Sequence, residues 1–327
     1  MAVGIGLTGF IGYGKETTYG TSVARAHFLE INEEDIVSEE PKIESAALAQ
    51  VGIRSTKVAQ GGIAISGNFG FDAQYGGWER LLRQLMGTIV SSQPDVTSNA
   101  TVWDHTFTIA DELPTGLTIE VFRGTETFLT EPNKSFLYTG CLITSMDLSC
   151  GVDDLLKVSF SIMGQDVSRV AKSTPSYSST ELAVYHQGTV QWNGEDVEAS
   201  NFQLTLNNAL EARPKLGSRL TRAPKRSGKL DVSGSFQAEF VHFNQFDDFR
   251  NATNRQMVIT FLGPIITGTF RYTITITIAI AKINTFRVVL NQPGRLLMEI
   301  GFKAYRTDSA GEISIVMRNN VTPSLTN

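Results

Sequence analysis

At 327 residues the chain exceeds one small module and has room for two domains, each with its own core. A 41% hydrophobic and 19% charged composition excludes a largely disordered chain, and a formal net charge of -5 argues against a dedicated nucleic-acid binder, whose affinity would rest on a basic surface. Only Cys141 and Cys150 carry thiols, too few for a disulfide framework and without the paired spacing of a zinc site, so both read as reduced core residues.

In chain order, residues 1–24 are Gly- and Thr-rich without amphipathic pattern and read as a flexible N-terminal arm. No basic residue precedes Lys15 and no long apolar run follows, so no signal peptide is expected and the protein should stay in the cytoplasm where it is made. Gly4-Ile-Gly-Leu-Thr-Gly9 matches the dinucleotide fingerprint, but no strand precedes it and no helix follows, so an arm that docks on a neighbour is the better reading. A strand over 61–69 leads to a helix in which Trp78, Leu81, Leu82, Leu85 and Met86 form one apolar stripe, stopped by Gly87. Further strands are expected at 102–109, 117–123, 141–149 and 156–163, between Gly, Pro and Asp turns. Residues 171–182 are polar and rich in Ser, Thr and Pro, and read as a linker. Beyond it, strands are expected at 202–207, 230–240, 256–262, 272–280 and 296–305, and residues 322–327 as a tail. The apolar stretch 258–283 is no membrane span, because Pro264 and Arg271 interrupt it and Thr273 to Ile278 alternates with period two.

An internal repeat sets the organisation. Gly61-Gly-Ile-Ala-Ile-Ser-Gly-Asn-Phe69 aligns without a gap to Gly228-Lys-Leu-Asp-Val-Ser-Gly-Ser-Phe236, with four identities. Upstream, Gly52-Ile-Arg54 answers Gly217-Ser-Arg219; downstream, Trp78 to Leu82 is echoed by Phe246 to Arg250. The expected fold is mainly β, a sandwich or barrel-like unit with a short flanking helix, in two tandem copies at 25–170 and 183–321.

Gly12-Tyr-Gly-Lys-Glu-Thr-Thr-Tyr-Gly20, the Ser-Gly-x-Phe strand before an aromatic helix, Tyr138-Thr-Gly-Cys141 and Phe160-Ser-Ile-Met-Gly164 resemble, in that order, the tail tube proteins of long-tailed bacteriophages. Phe202 to Glu211 followed by Leu216-Gly-Ser-Arg219 adds to the resemblance. It implies a structural virion subunit without enzyme activity or cofactor. Four strands of each domain would join neighbours' strands into an inner β-barrel, six domains would make a ring, and rings would stack into a conduit for genome ejection. With two copies per chain, three chains would complete a pseudo-sixfold ring. The implied partners are further copies of the chain, a tape measure protein inside, terminator or baseplate proteins at the ends, and DNA that passes without tight binding past a negative or neutral lumen. Two alternatives are a hexameric tube subunit with residues 180–327 as an outer decoration domain, and a non-viral carbohydrate-binding β-sandwich.

Residues that could carry chemistry have plainer uses. His27, His105, His186 and His242 are scattered without metal-ligand or triad spacing, and Asp153-Asp154 and Asp247-Asp248 suit turns and helix starts. Charge placement stands out instead. Residues 30–44 carry seven acids (Glu30, Glu33, Glu34, Asp35, Glu39, Glu40 and Glu44) against one lysine; residues 213–229 carry seven bases (Arg213, Lys215, Arg219, Arg222, Lys225, Arg226 and Lys229) and no acid. Each lies just upstream of a repeated Ser-Gly-x-Phe strand, and the two stretches are expected to meet between subunits where rings stack.

Overall fold

The computed structural model describes residues 8–46, 57–124, 134–288, 295–306 and 311–323. Every strand ladder among them is antiparallel, and two helices, α1 (Glu79–Met86) and α2 (Asn244–Asn251), interrupt the strands. Two long strands organise the molecule. Ser135–Gly151 pairs through its first part with Leu117–Phe122 and Asp166–Val170, then through its second part with Lys157–Gly164. Phe270–Val288 repeats this: its first part pairs with Arg255–Thr267 and Ser314–Asn319, its second with Leu297–Tyr305. A register shift falls between Ile143 and Ser145 in one, and between Ile283 and Thr285 in the other.

The remaining pairings follow the same order in both halves. Phe10–Lys15 lies between His27–Leu29 and Leu117–Phe122, as Gly188–Trp192 lies between Glu195–Val197 and Arg255–Thr267. Ala64–Asp72 pairs with Lys157–Gly164 and leads to α1; Asp231–Glu239 pairs with Leu297–Tyr305 and leads to α2. The hairpin Gly87–Ser92 with Trp103–Ile109 occurs in the first half only, and it crosses over to pair with Ser314–Asn319 of the second.

Apolar side chains from both halves merge into one large core cluster, with rings such as Phe69, Phe160, Phe236 and Phe302 fully buried. The alternation of 273–278 resolves as expected: Ile274, Ile276 and Ile278 are buried, and the threonines between them face the other side. Cys141 and Cys150 are buried and unbridged.

Three expectations meet differences. Residues 10–15, placed by their composition in an arm, form a strand whose Phe10, Ile11 and Tyr13 are buried. The linker is pinned along its length: Glu120 accepts hydrogen bonds from the Ser173 N–H (2.9 Å) and Oγ (2.6 Å), and bridges join Tyr177 to Phe28 and Leu182 to Gln74. The strands are also longer and more numerous than expected, the pieces 141–149 and 272–280 being parts of the two long strands. Gly4, Gly6, the segment Gly52-Ile-Arg54 and residues 324–327 of the tail lie outside the described residues.

Candidate assembly surface

The second parts of the two long strands belong to one continuous sheet. Its order is 33–39, Ala64–Asp72, Lys157–Gly164, 142–151, Ala199–Asn207, Asp231–Glu239, Leu297–Tyr305 and 280–288. Four strands come from each half, and the halves join through Ser145 to Gly151 paired with Asn201 to Asn207. The edge strand 33–39 is broken at Asp35-Ile36, where Ile36 turns into the core and its carbonyl accepts from the Tyr138 hydroxyl (3.1 Å) and from Arg123.

The glycine of each Ser-Gly-x-Phe strand permits this sheet. A Cβ on Gly67, whose φ is +153, would lie 2.5 Å from the Ile36 Cα; one on Gly234 would lie 2.4 Å from the Gln203 carbonyl oxygen. The adjoining strand therefore packs against backbone at both places. Phe69 and Phe236, two positions on, fill the core beneath.

With period two, the other face of this sheet looks away from the core. It presents Ser66, Asn68, Ser159, Ser161, Ser149, Gln203, Thr205, Ser233 and Ser235, none of them buried. Charges on it are largely matched: Lys303 Nζ lies 2.5 Å from Asp231, Lys157 is held by Asp154 and stands opposite Asp72 in the strand register, and Arg287 stands opposite Glu299. Glu239 is held by Arg295 (2.8 Å), and Glu33, Glu39 and Asp147 outnumber Lys282, which leaves this face net acidic. Its two outer edges, 33–39 and 282–288, have no strand partner among the described residues.

The two charged stretches occupy equivalent places, each running into a hairpin between neighbouring strands of this sheet. Lys42–Glu44 pairs with Val58–Gln60, and Leu210–Arg213 with Arg222–Arg226. They touch inside one chain: Arg219 donates to Glu40 (2.8 Å), to Gln60 Oε1 (2.6 Å) and to the Gly61 carbonyl (2.8 Å). Arg226 is likewise engaged, by the Ala110 carbonyl (2.6 Å) and Asn208 (2.8 Å), and Glu34 by Arg123. Glu33 and Glu39 lie on the edge strand, and Glu30 precedes it. Arg213, Lys215, Arg222, Lys225 and Lys229 make no ion pair among the described residues. What the sequence did not single out is the basic edge with Lys282 and Arg287, because two charges in an apolar strand form no cluster.

The residues with catalytic potential do structural work. Asp153, at φ 63, turns the chain between strands, and Asp154 binds Lys157 (2.7 Å). Asp248 is buried in α2, accepts from Trp192 Nε1 (3.0 Å) and pairs with Arg255 (2.8 Å). His105 bonds Ser91 (2.8 Å) and the Val321 carbonyl (2.9 Å). Among the described residues no group of three His, Cys, Asp or Glu is placed to hold a metal, and no helix is long and apolar enough to cross a membrane.

A search of curated proteins finds no match to the chain. The model of the family described as phage tail tube protein matches residues 6–314, and the chain belongs to that family.

Proposed function

We propose that three chains close head to tail into one ring of a tail tube, and that the polar, net acidic face of the eight-stranded sheet lines the bore. The observation that carries this reading is the sheet itself, in which two four-stranded blocks of like connectivity stand side by side in one chain. The junction between the blocks leaves one free edge of each kind, and a head-to-tail contact with the right rotation makes a closed ring. The blocks are tandem copies of one tube domain, within 25–170 and 183–321. Phe10–Lys15 belongs to the first by its pairing, and 171–182 is a strap between them. An outer decoration domain would have no reason to continue the first half's sheet.

Bore size favours three chains over two. With ~4.8 Å between strands and a tilt of ~40°, twenty-four strands give a backbone diameter of roughly 48 Å and, after side chains of about 5 Å on each wall, a bore of roughly 38 Å. Sixteen strands leave roughly 22 Å, too tight for a duplex with its water. The subunit catalyses nothing and holds no cofactor; it is made in the host cytoplasm and works in the virion. It surrounds a tape measure protein, meets terminator or baseplate proteins at the tube's ends, and lets DNA slide past a wall that does not hold phosphate. The acidic stretch 30–44 and the basic stretch 213–229 alternate around the rim, so that unlike charges face each other between stacked rings. Native mass spectrometry of isolated rings tests the stoichiometry: three chains per ring are expected, and six would refute the closure.

A further inference from the structure

The junction within one chain is a template for the junction between chains. Pairing assigns the equivalences. Phe69 opposes Phe160 as Phe236 opposes Ile300, so residues 145–148 correspond to 285–288, with the same register shift preceding both. Glu33, Glu34, Val37, Ser38 and Glu39 oppose the Ser-Gly-x-Phe strand as Asn201, Phe202, Thr205, Leu206 and Asn207 oppose its counterpart. Inside the chain, 145–148 pairs with 204–207.

Resting on the ring reading above, we infer that strand 285–288 of one chain pairs antiparallel with residues 36–39 of the next in one defined register. Thr285 stands opposite Glu39, Phe286 opposite Ser38 and Arg287 opposite Val37; Val288 comes beside Ile36, where the backbone ladder ends because Tyr138 and Arg123 hold the Ile36 carbonyl and Glu34 accepts its N–H (3.2 Å). The Asn208 N–H donates to the Thr144 carbonyl (2.8 Å), which makes that a hydrogen-bonded pair. By alternation Ser145 with Asn207 and Asp147 with Thr205 are non-hydrogen-bonded pairs, and so are Thr285 with Glu39 and Arg287 with Val37 across the interface.

Charge favours this partner over the alternatives. Arg287 lies diagonally between Asp35 and Glu39 of the next chain, within reach of a long side chain. Its internal counterpart, Asp147, faces neutral Thr205 and accepts its hydroxyl (2.5 Å). Pairing the edge that holds Asp147 with the acidic 33–39 edge would set carboxylates against one another, so the sign change from Asp147 to Arg287 directs the acidic edge to the end of the chain rather than to its middle. Val37, 49% exposed in the single chain, is covered by the same contact.

Cysteine pairs test the register, because Cα atoms about 4.5 Å apart in a non-hydrogen-bonded pair fall within disulfide range. Arg287→Cys with Val37→Cys, and separately Thr285→Cys with Glu39→Cys, should cross-link chains of assembled tubes on mild oxidation, giving covalent closed trimers in non-reducing gels. Arg287→Cys with Ser38→Cys, slipped by one residue, should not. Hydrogen exchange on the unmodified chain gives a second reading, with peptides covering 36–40 and 284–288 slowing together on assembly. Tubes of three-chain rings that cross-link only in the slipped pair, or whose two peptides exchange as in the monomer, would overturn the register while leaving the ring. Six-chain rings would overturn the ring reading itself.

Discussion

The carboxylate of Glu16 is fully buried and accepts from the Gly20 N–H (2.7 Å), Thr118 Oγ1 (3.0 Å) and the Gly140 N–H (2.8 Å). It ties the turn after the first strand to the neighbouring strands, one of them at Gly140, where φ is +63. Glu16→Ala strands these donors away from water, so urea denaturation should show a loss of about 2–4 kcal/mol; a loss below about 1 kcal/mol would remove Glu16 from this role. His27 stacks on Tyr13, and burial, reinforced by the Arg80 guanidinium, lowers its pKa to about 4. The unfolded imidazole takes a proton near pH 6.5, so the stability His27 confers is complete above that pH and falls as pH drops from 6.5 towards 4. The difference in stability between wild type and His27→Gln, followed across that window, should shrink as pH falls; a constant difference would contradict the assignment. Some residue roles were legible in the sequence. The apolar stripe of Trp78, Leu81, Leu82, Leu85 and Met86 and the buried thiols of Cys141 and Cys150 followed from pattern and residue type. The grip of Tyr138 and Arg123 on the Ile36 carbonyl was not, because it joins residues about a hundred positions apart through an irregular edge.

Among the elements, strands with one wet face were legible because they alternate, as 157–164 and 273–278 do. Burial on both faces did not hide Leu117–Phe122, an apolar run bounded by turns, but it did hide Phe10–Lys15, whose three small or polar residues mimic a loop although it is buried almost throughout. The long strands were cut short for a related reason: a bulge at 139–140 in one and at 279–280 in the other breaks the period. The charged stretches were visible as composition, but their hairpins and the internal Arg219 to Glu40 contact depend on how neighbouring blocks lean together. That contact decides which charges are useful for testing ring stacking. Reversing Arg222 and Lys225 to Glu leaves the Arg219 and Arg226 contacts intact. It should slow tube growth, with the monomer's circular dichroism and melting unchanged, and wild-type growth should slow as salt rises and the Debye length falls below about 8 Å. Each exposed pair contributes only about 0–1 kcal/mol, so the effect should be on rate and register more than on the stability of finished tubes. Growth of the variant at the wild-type rate, insensitive to salt, would leave the hairpins as solvated loops.

At the scale of the whole molecule, two halves share one core, and the hairpin from the first half, paired with Ser314–Asn319 of the second, locks them together. Arg318 and Asp104 clasp that seam at 2.6 Å. A rigid two-block unit brings half of a ring's block-to-block contacts already made, which lowers the entropy lost on closure. The polar face, with more acid than base, should repel phosphate at a distance and offer little to hold it nearby. The soluble protein should therefore show no measurable affinity for duplex DNA near physiological salt in an anisotropy titration, and tight, salt-sensitive binding would contradict the assignment of that face to the bore. In the proposed ring one chain supplies two adjacent blocks of a closed wall, and a cryo-EM map of the assembled tube tests this. Threefold rotational symmetry is expected, with an inner wall of twenty-four strands in which 145–151 meets 201–207 within a chain and 285–288 meets 36–39 between chains. True sixfold symmetry, with only one half of each chain in the wall, would contradict it.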